Sequence, residues 1–338
     1  MPSRRGTSAD DQPFLFDDAV RPAVVTDATR ALATRLPPFI HLGTSSWSFP
    51  GWRGIVYADH HPEQVLARRG LAAYSQHPLL RTVGIDRAFY APLRESEFAA
   101  YANDVPTGFR FLTKTYERLL RPFERDGSPN PLFLDAQYMI DQVIAPVALG
   151  LRDRAGPILL QLTPLNLSLL ATDARRTRAD GVKRLLERLA TFLSALPSPR
   201  ASDHWFLSLE LRNSELLCAD YAALLRSHGV AHCFNVHPTM PEPSRQHALL
   251  ESFGGDASPD VVCRWMLHPS QTYEPAKDRY APFTQIVDAD DRARDQFASL
   301  VLRGKARSRA AFVIINKKAE GSAPRSVERL AEAMTSVC

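Results

Sequence analysis

Glu210 and Arg212 stand two residues apart where the apolar run Trp205-Phe206-Leu207-Ser208-Leu209 ends. In an extended strand that spacing puts both on one face and leaves Leu209 and Leu211 on the other. A carboxylate placed there can act as a general base, and a guanidinium can clamp a phosphate or carboxylate through two parallel hydrogen bonds. Comparable groups close other apolar runs: Asp86 after 82–85, Lys114 after 109–113, Asn235 and His237 after 230–234, and Asn316 with Lys317 after 311–315. Arg264 lies inside the run 261–266, with His268 just beyond it. Lys114, Arg212 and Arg264 outnumber Asp86 and Glu210, so a site built from them has a slight positive excess and suits a phosphate-bearing or other anionic ligand. Arg264 is the most pointed of these, because a leucine in that run would be cheaper to bury. Glu210 and Arg212 read equally well as a structural ion pair at a rim, since buried charges are paired in either role. Lys318 reads as a solvated loop residue.

Other chemistries leave weaker traces. Lys114 at a strand end has the character of an amine that could form a Schiff base once desolvated. The loop Trp47-Ser48-Phe49-Pro50-Gly51-Trp52-Arg53-Gly54 carries rings that could stack on a sugar or base, or that anchor the loop by burial. His237 and His268 join Asp86 and Glu210 as the ligands a metal could find; this fits a magnesium held by one or two carboxylates and substrate phosphate, not a zinc cluster, and leaves the metal undetermined. His41 reads as a packed strand residue. No GxGxxG follows the first apolar run, so no nicotinamide fingerprint is present. Cys218, Cys233, Cys263 and Cys338 are far apart, without CxxC or zinc-finger spacing, which argues for a reducing cytoplasm rather than a disulfide scaffold.

The elements that must position these groups follow from the texture of the chain. Apolar runs recur at 39–44, 81–86, 109–114, 157–162, 205–210, 230–235, 261–266 and 311–316, and segments with helical spacing follow each of them, at 63–76, 94–103, 133–151, 180–196, 214–228, 243–252, 290–303 and 324–335. Alternating strand and helix signals imply a parallel sheet, and eight such units in a chain of 338 residues match a single-domain (β/α)8 TIM barrel over 37–338. In that fold the C-terminal strand ends surround the active site, which is where the groups above fall. Residues 1–36, rich in Ser, Asp, Pro and Arg, read as a flexible N-terminal tail with a weakly helical stretch near 26–36. The chain is 45% hydrophobic and 23% charged, with a net charge of +4, ordinary for a globular protein and too mild to argue nucleic-acid binding alone. No apolar run approaches the roughly 18 residues of a membrane span, and the opening residues lack the apolar stretch of a secretory leader.

Several of these segments resemble the DUF72 (YecE-like) family. Residues 43–54 with Tyr57 are similar to its opening GTSGWSYxxWxGxFYP pattern, and the resemblance runs through 85–90, 111–114, 156–162, Glu210-Leu211-Arg212 and Asn316 with Gly321, Ala323 and Pro324. It covers about residues 40–335 and implies a TIM barrel, with no assigned activity. At fold level only, likeness to apurinic endonucleases and sugar isomerases points toward nucleic-acid or sugar chemistry. Departures fall at strand ends: Gly84 and Asp86 replace Glu and Asn, Asn213 replaces a histidine, Met266 stands where a histidine is usual, and Lys317-Lys318 replace Asn-Asp. Lys114, Glu210, Arg212, Arg264 and Asn316 survive.

The tail has its own resemblance. Gln12-Pro13-Phe14-Leu15-Phe16 is similar to the QxxLF peptide that docks bacterial repair and replication proteins on the sliding clamp, with Gln12 setting register and Leu15 and Phe16 entering a groove. Three readings of function follow. One is an enzyme binding and hydrolysing or rearranging a phosphate-bearing or nucleic-acid ligand, with Glu210 as base, Lys114 and Asp86 assisting, and Arg212 and Arg264 as clamp. The others are a Schiff-base enzyme using Lys114, and a non-catalytic binding barrel recruited through its tail.

Overall fold

The computed structural model describes residues 19–171, 177–256, 258–267, 278–304 and 310–336. Within them the chain runs α1 (Asp27–Arg35), β1 (Ile40–Thr44), α2 (Glu63–Tyr74), β2 (Thr82–Ile85), α3 (Arg87–Tyr90), α4 (Glu95–Asn103), β3 (Arg110–Lys114), α5 (Ala136–Met139), α6 (Ala145–Leu151) and β4 (Ala155–Gln161). It continues through α7 (Arg178–Ser194), β5 (Phe206–Glu210), α8 (Ala219–His228), β6 (Ala231–Val236), α9 (Pro243–Ser252), β7 (Val261–Trp265), α10 (Asp291–Gly304), β8 (Ala311–Ile315) and α11 (Ala323–Ser336). The strands form a closed barrel in sequence order, every neighbour parallel, with β8 returning to β1 over Ile40↔Ala311 through Thr44↔Ile315. This is the TIM barrel that the strand and helix rhythm implies.

Alternation divides each strand between two layers. Leu112, Leu159, Phe206, Cys233, Val262 and Phe312 fill the barrel interior, whereas Ile158, Leu160, Leu209, Leu211 and Val313 face the helices. Helix α11 shows the matching helical period: Val327, Leu330, Ala331 and Met334 are buried at steps of three and four. His41 stacks on Phe312 at 4.7 Å inside the lower barrel, the packed position expected of it. Strands β1 and β2 approach so closely that a Cβ on Gly43 would lie 1.8 Å from Thr82 O. Among the described residues no helix is long and apolar enough to cross a membrane.

The expectation of a flexible tail over 1–36 is corrected for residues 19–36. Helix α1 is capped by the Thr26 side chain, buries Leu32 and Ala33 and hydrogen-bonds to α11 through Thr29 Oγ1 and Glu328 Oε1 at 2.9 Å. Arg81 donates to the carbonyls of Ala33, Leu36 and Pro37, satisfying the end of α1. The extended residues before it join the body through a bridge between Pro22 and Tyr57. The weakly helical stretch read near 26–36 is thus a helix that packs against the barrel. Residues 1–18, including Gln12, Leu15 and Phe16, lie outside the described residues.

Candidate functional site

Strand β5 delivers Glu210 and, two residues past its end, Arg212 to the barrel interior, as the two-residue period requires. Glu210 is fully buried. Arg212 Nη2 lies 2.6 Å from Glu210 Oε1, and Arg264 Nη1, coming from β7, takes Oε2. Arg264 also donates to Gln161 Oε1 at 2.7 Å, and Gln161 is registered directly beside Glu210 across β4 and β5. The two guanidiniums are themselves only 6% and 1% exposed, and the Nε of each is buried with no partner among the described residues.

Lys114 closes β3 and meets Asp86, just past β2, at 2.9 Å. Its ammonium also lies 5.1 Å from the centre of the Phe89 ring. Burial pushes the Lys114 amine below its ordinary value, nearby Arg264 adds to this, and Asp86 and Glu210 oppose it. Burial alone would raise the Glu210 carboxyl, but Arg212, Arg264 and Lys114 together hold it below the usual carboxylate range. The cluster thus holds three cations, Lys114, Arg212 and Arg264, against two carboxylates, Asp86 and Glu210, a net charge of +1.

Beside this cluster, at the ends of β1, β2 and β8, is a cavity of about 170 Å³ lined in part by Ser45, Ser48, Trp52, Asp86, Asn316 and Lys317. Asn316 Oδ1 accepts from Lys318 N–H at 2.9 Å and so shapes the turn after β8. The Lys317 ammonium sits 4.0 Å from the Phe49 ring centre and 5.4 Å from that of Phe283. Phe283 has a φ of 63°, a conformation costly for an aromatic residue, and it meets Phe49 edge-on at 5.3 Å. That contact joins the segment before α10 to the loop after β1.

The remaining expected site residues are distributed more unevenly. Asn235 faces inward from β6; its Nδ2 donates to Leu211 O at 3.1 Å, and its Oδ1 is buried with no partner among the described residues. His237 turns onto its own loop, 2.8 Å from Thr239 Oγ1; burial and Arg212 lower it to about 4, so it stays neutral near pH 7. Trp47 is packed into the body, its Nε1 donating to Leu66 O at 3.1 Å, and so offers no open ring face for stacking, which corrects that part of the expectation. Trp52 is also buried, yet it lines the mouth cavity. Lys318 is corrected from solvated to buried, at 4% exposure, because the turn at Asn316 folds it back under the loop. His268 lies outside the described residues. Among those described, no three His, Cys, Asp or Glu side chains gather as a metal site would need.

The sequence gives no specific role to Gln161, Ser45, Phe89 or Phe283. Gln161 was readable, because it shares the inward parity of β4 with Leu159. The departures from the family pattern also have local causes. A Cβ on Gly84 would lie 2.9 Å from Ser45 O, so the loop after β1 occupies the space of a side chain there. Asn213 makes a two-way clamp, Oδ1 accepting from Leu165 N–H at 2.8 Å and Nδ2 donating to Leu165 O at 3.0 Å.

A family model described as "Protein of unknown function DUF72" matches residues 41–337. A DUF72 family protein of Enterococcus faecalis is similar in structure with a TM-score of 0.58 at 17% identity, over 87% of this chain and 95% of that one. A second structure of an E. faecalis DUF72 family protein gives 0.53 at 17%, over 88% and 97%. A DUF72 family protein of Thermotoga maritima gives 0.53 at 16%, over 87% and 98%. At these identities the likeness is one of fold. No functionally curated protein matches the chain.

Proposed function

The chain belongs to the DUF72 family, and we propose that the mouth of its barrel binds and transforms an anionic, phosphate-bearing ligand. One observation carries this reading: two buried guanidiniums share a single carboxylate. A buried charge without a counter-ion is expensive, so the excess cation supports an anion as its partner. Arg212 and Arg264 would bind that anion through the donors Glu210 does not take. Glu210, with both oxygens committed to arginines, suits the role of holding the two forks in place better than the base expected of it. Asp86, which borders the cavity together with Glu63 and also pairs with Lys114, is a carboxylate placed to accept a proton. Lys114, a stronger acid than an ordinary lysine, can donate one to a leaving group in a hydrolysis or rearrangement.

A thermal-shift panel of inorganic phosphate, sugar phosphates, nucleotides and short DNA and RNA, with and without magnesium, tests this reading on wild type, Arg264→Ala and Arg212→Met. A ligand at about 100 times its Kd adds about 2.7 kcal/mol of stability. The reading expects a shift in wild type that both variants lose. Equal shifts in all three proteins, or none in wild type, contradict it.

The lowered Lys114 amine also favours a second reading, in which its neutral form attacks a carbonyl carbon and water leaves as the imine forms. Borohydride reduction in the presence of aldehyde and ketone substrates, with Lys114 mapped by mass spectrometry, decides it: a reduced adduct on Lys114 supports the reading, and an unmodified lysine across the panel contradicts it.

A further inference from the structure

Two residues in the wall of the cavity at the ends of β1, β2 and β8 carry buried polar atoms that the protein leaves unpaired. Ser45 is 7% and Trp52 2% exposed, yet Ser45 Oγ and Trp52 Nε1 have no partner among the described residues. Both residues line the cavity. Asn316, also in its wall, gives its Oδ1 to Lys318 N–H and leaves Nδ2 to donate. Ser46 and Ser48 pair through their hydroxyls at 3.2 Å; Ser46 Oγ also accepts from Ser48 N–H at 3.3 Å, and the Ser48 hydroxyl keeps capacity for a second bond. Asp86 brings an acceptor into the same wall.

A bare oxyanion uses donors alone. An indole N–H, an amide NH₂, several hydroxyls, the Lys317 ammonium and two carboxylates, Asp86 and Glu63, around one space instead complement a group of hydroxyls, each of which gives one hydrogen bond and accepts others. A cavity of about 170 Å³ is on the scale of a short polyol or part of a sugar ring. Asp86 links this space to the charged cluster, because the same carboxylate holds Lys114 at 2.9 Å.

We propose that the cavity is a subsite for the polyhydroxylated part of the ligand, so that the substrate class is a sugar or polyol phosphate. The phosphate half of this statement rests on the arginine reading above; the hydroxyl half rests on Ser45, Trp52, Asn316 and Asp86.

Calorimetric titration separates the two halves. The probes are inorganic phosphate, glycerol 3-phosphate, D-ribose 5-phosphate, D-glucose 6-phosphate and a ribonucleoside 5′-monophosphate, with uncharged glycerol, ribitol and D-ribose. The proteins are wild type, Ser45→Ala and Trp52→Phe, each checked for folding by its melting curve. On wild type the best sugar or polyol phosphate binds at least tenfold more tightly than inorganic phosphate. In Ser45→Ala that ratio falls below threefold while the Kd for inorganic phosphate stays within twofold of wild type, and Trp52→Phe behaves alike if it folds. Equal affinity for phosphate and every ester, or an unchanged ratio in Ser45→Ala, overturns the subsite and leaves the arginine reading standing. A preference confined to the nucleotide overturns the sugar-phosphate class. If no phosphate binds at all, the arginine reading fails, and the uncharged probes decide the subsite. A polyol-induced shift in wild type that Ser45→Ala loses then sustains it, and no shift overturns it.

Discussion

Arg212 and Arg264 divide one carboxylate between them: Arg212 Nη2 is 2.6 Å from Glu210 Oε1, and Arg264 Nη1 binds Oε2. They reach it from different strands, so the pairing fixes β5 against β7 across the barrel interior. It also leaves the two guanidiniums with half a counter-ion each.

That imbalance makes stability asymmetric. Glu210→Gln leaves two buried guanidiniums uncompensated and should cost about 3–5 kcal/mol in urea denaturation. Arg212→Met leaves Glu210 and Arg264 as a balanced pair and should stay within about 1 kcal/mol of wild type or exceed it. Equal losses in the two variants would mean that the second guanidinium is not in excess.

Acid should unfold this protein early. Burial lowers His41 to about 3 and His77 and His232 to about 4, with Gln246 partly opposing it at His232. The folded state therefore binds fewer protons than the unfolded chain between about pH 4 and the ordinary histidine value of 6.5. Stability from these groups is full above that value and falls as pH drops through the window, by at most about 1.4 kcal/mol per unit for each histidine. Glu210, held below its ordinary 4.5, contributes stability that is present above that value and lost at still lower pH. Urea midpoints measured from pH 7.5 to 4 should decline steadily below pH 6.5; a flat profile to pH 4.5 contradicts the assignment.

Lys114 should titrate below the ordinary lysine value of 10.5. Asp86 opposes the shift, so Asp86→Asn should lower the amine further. NMR titration of reductively ¹³C-methylated protein, with the Lys114 signal assigned through Lys114→Met, reads both. A Lys114 midpoint at or above 10.5, or one that rises in Asp86→Asn, would contradict this geometry.

Much of the barrel and part of its site are legible in the sequence, for a definite reason. Strands alternate with a strict period of two, so Glu210, Arg212 and Arg264 could be placed inside from Leu209, Leu211 and their neighbours alone. Period says nothing about turns, which is why Lys318 was read as solvated when Asn316 folds it inward. It is equally silent on contacts between loops distant in sequence. Phe283 on Phe49 joins residues that no local pattern relates. Trp47 and Trp52 share a motif, yet one serves the core and the other borders the cavity.

The space left by Gly84 offers a check on the loop after β1. Gly84→Ala would place a Cβ 2.9 Å from Ser45 O and force that loop to shift. The expected cost is about 1–3 kcal/mol, with weaker binding of whatever ligand contacts Ser45. A fully stable variant with unaltered binding would show that the Ser45 backbone is not held where the structure places it.

The most direct test of the central claim is calorimetric titration of inorganic phosphate into wild type and Arg212→Met at matched ionic strength, with chloride as the control anion. The account predicts saturable one-to-one binding in wild type and at least a tenfold loss in the variant. Binding that is equal in both, or wild type that takes up no phosphate, would contradict it.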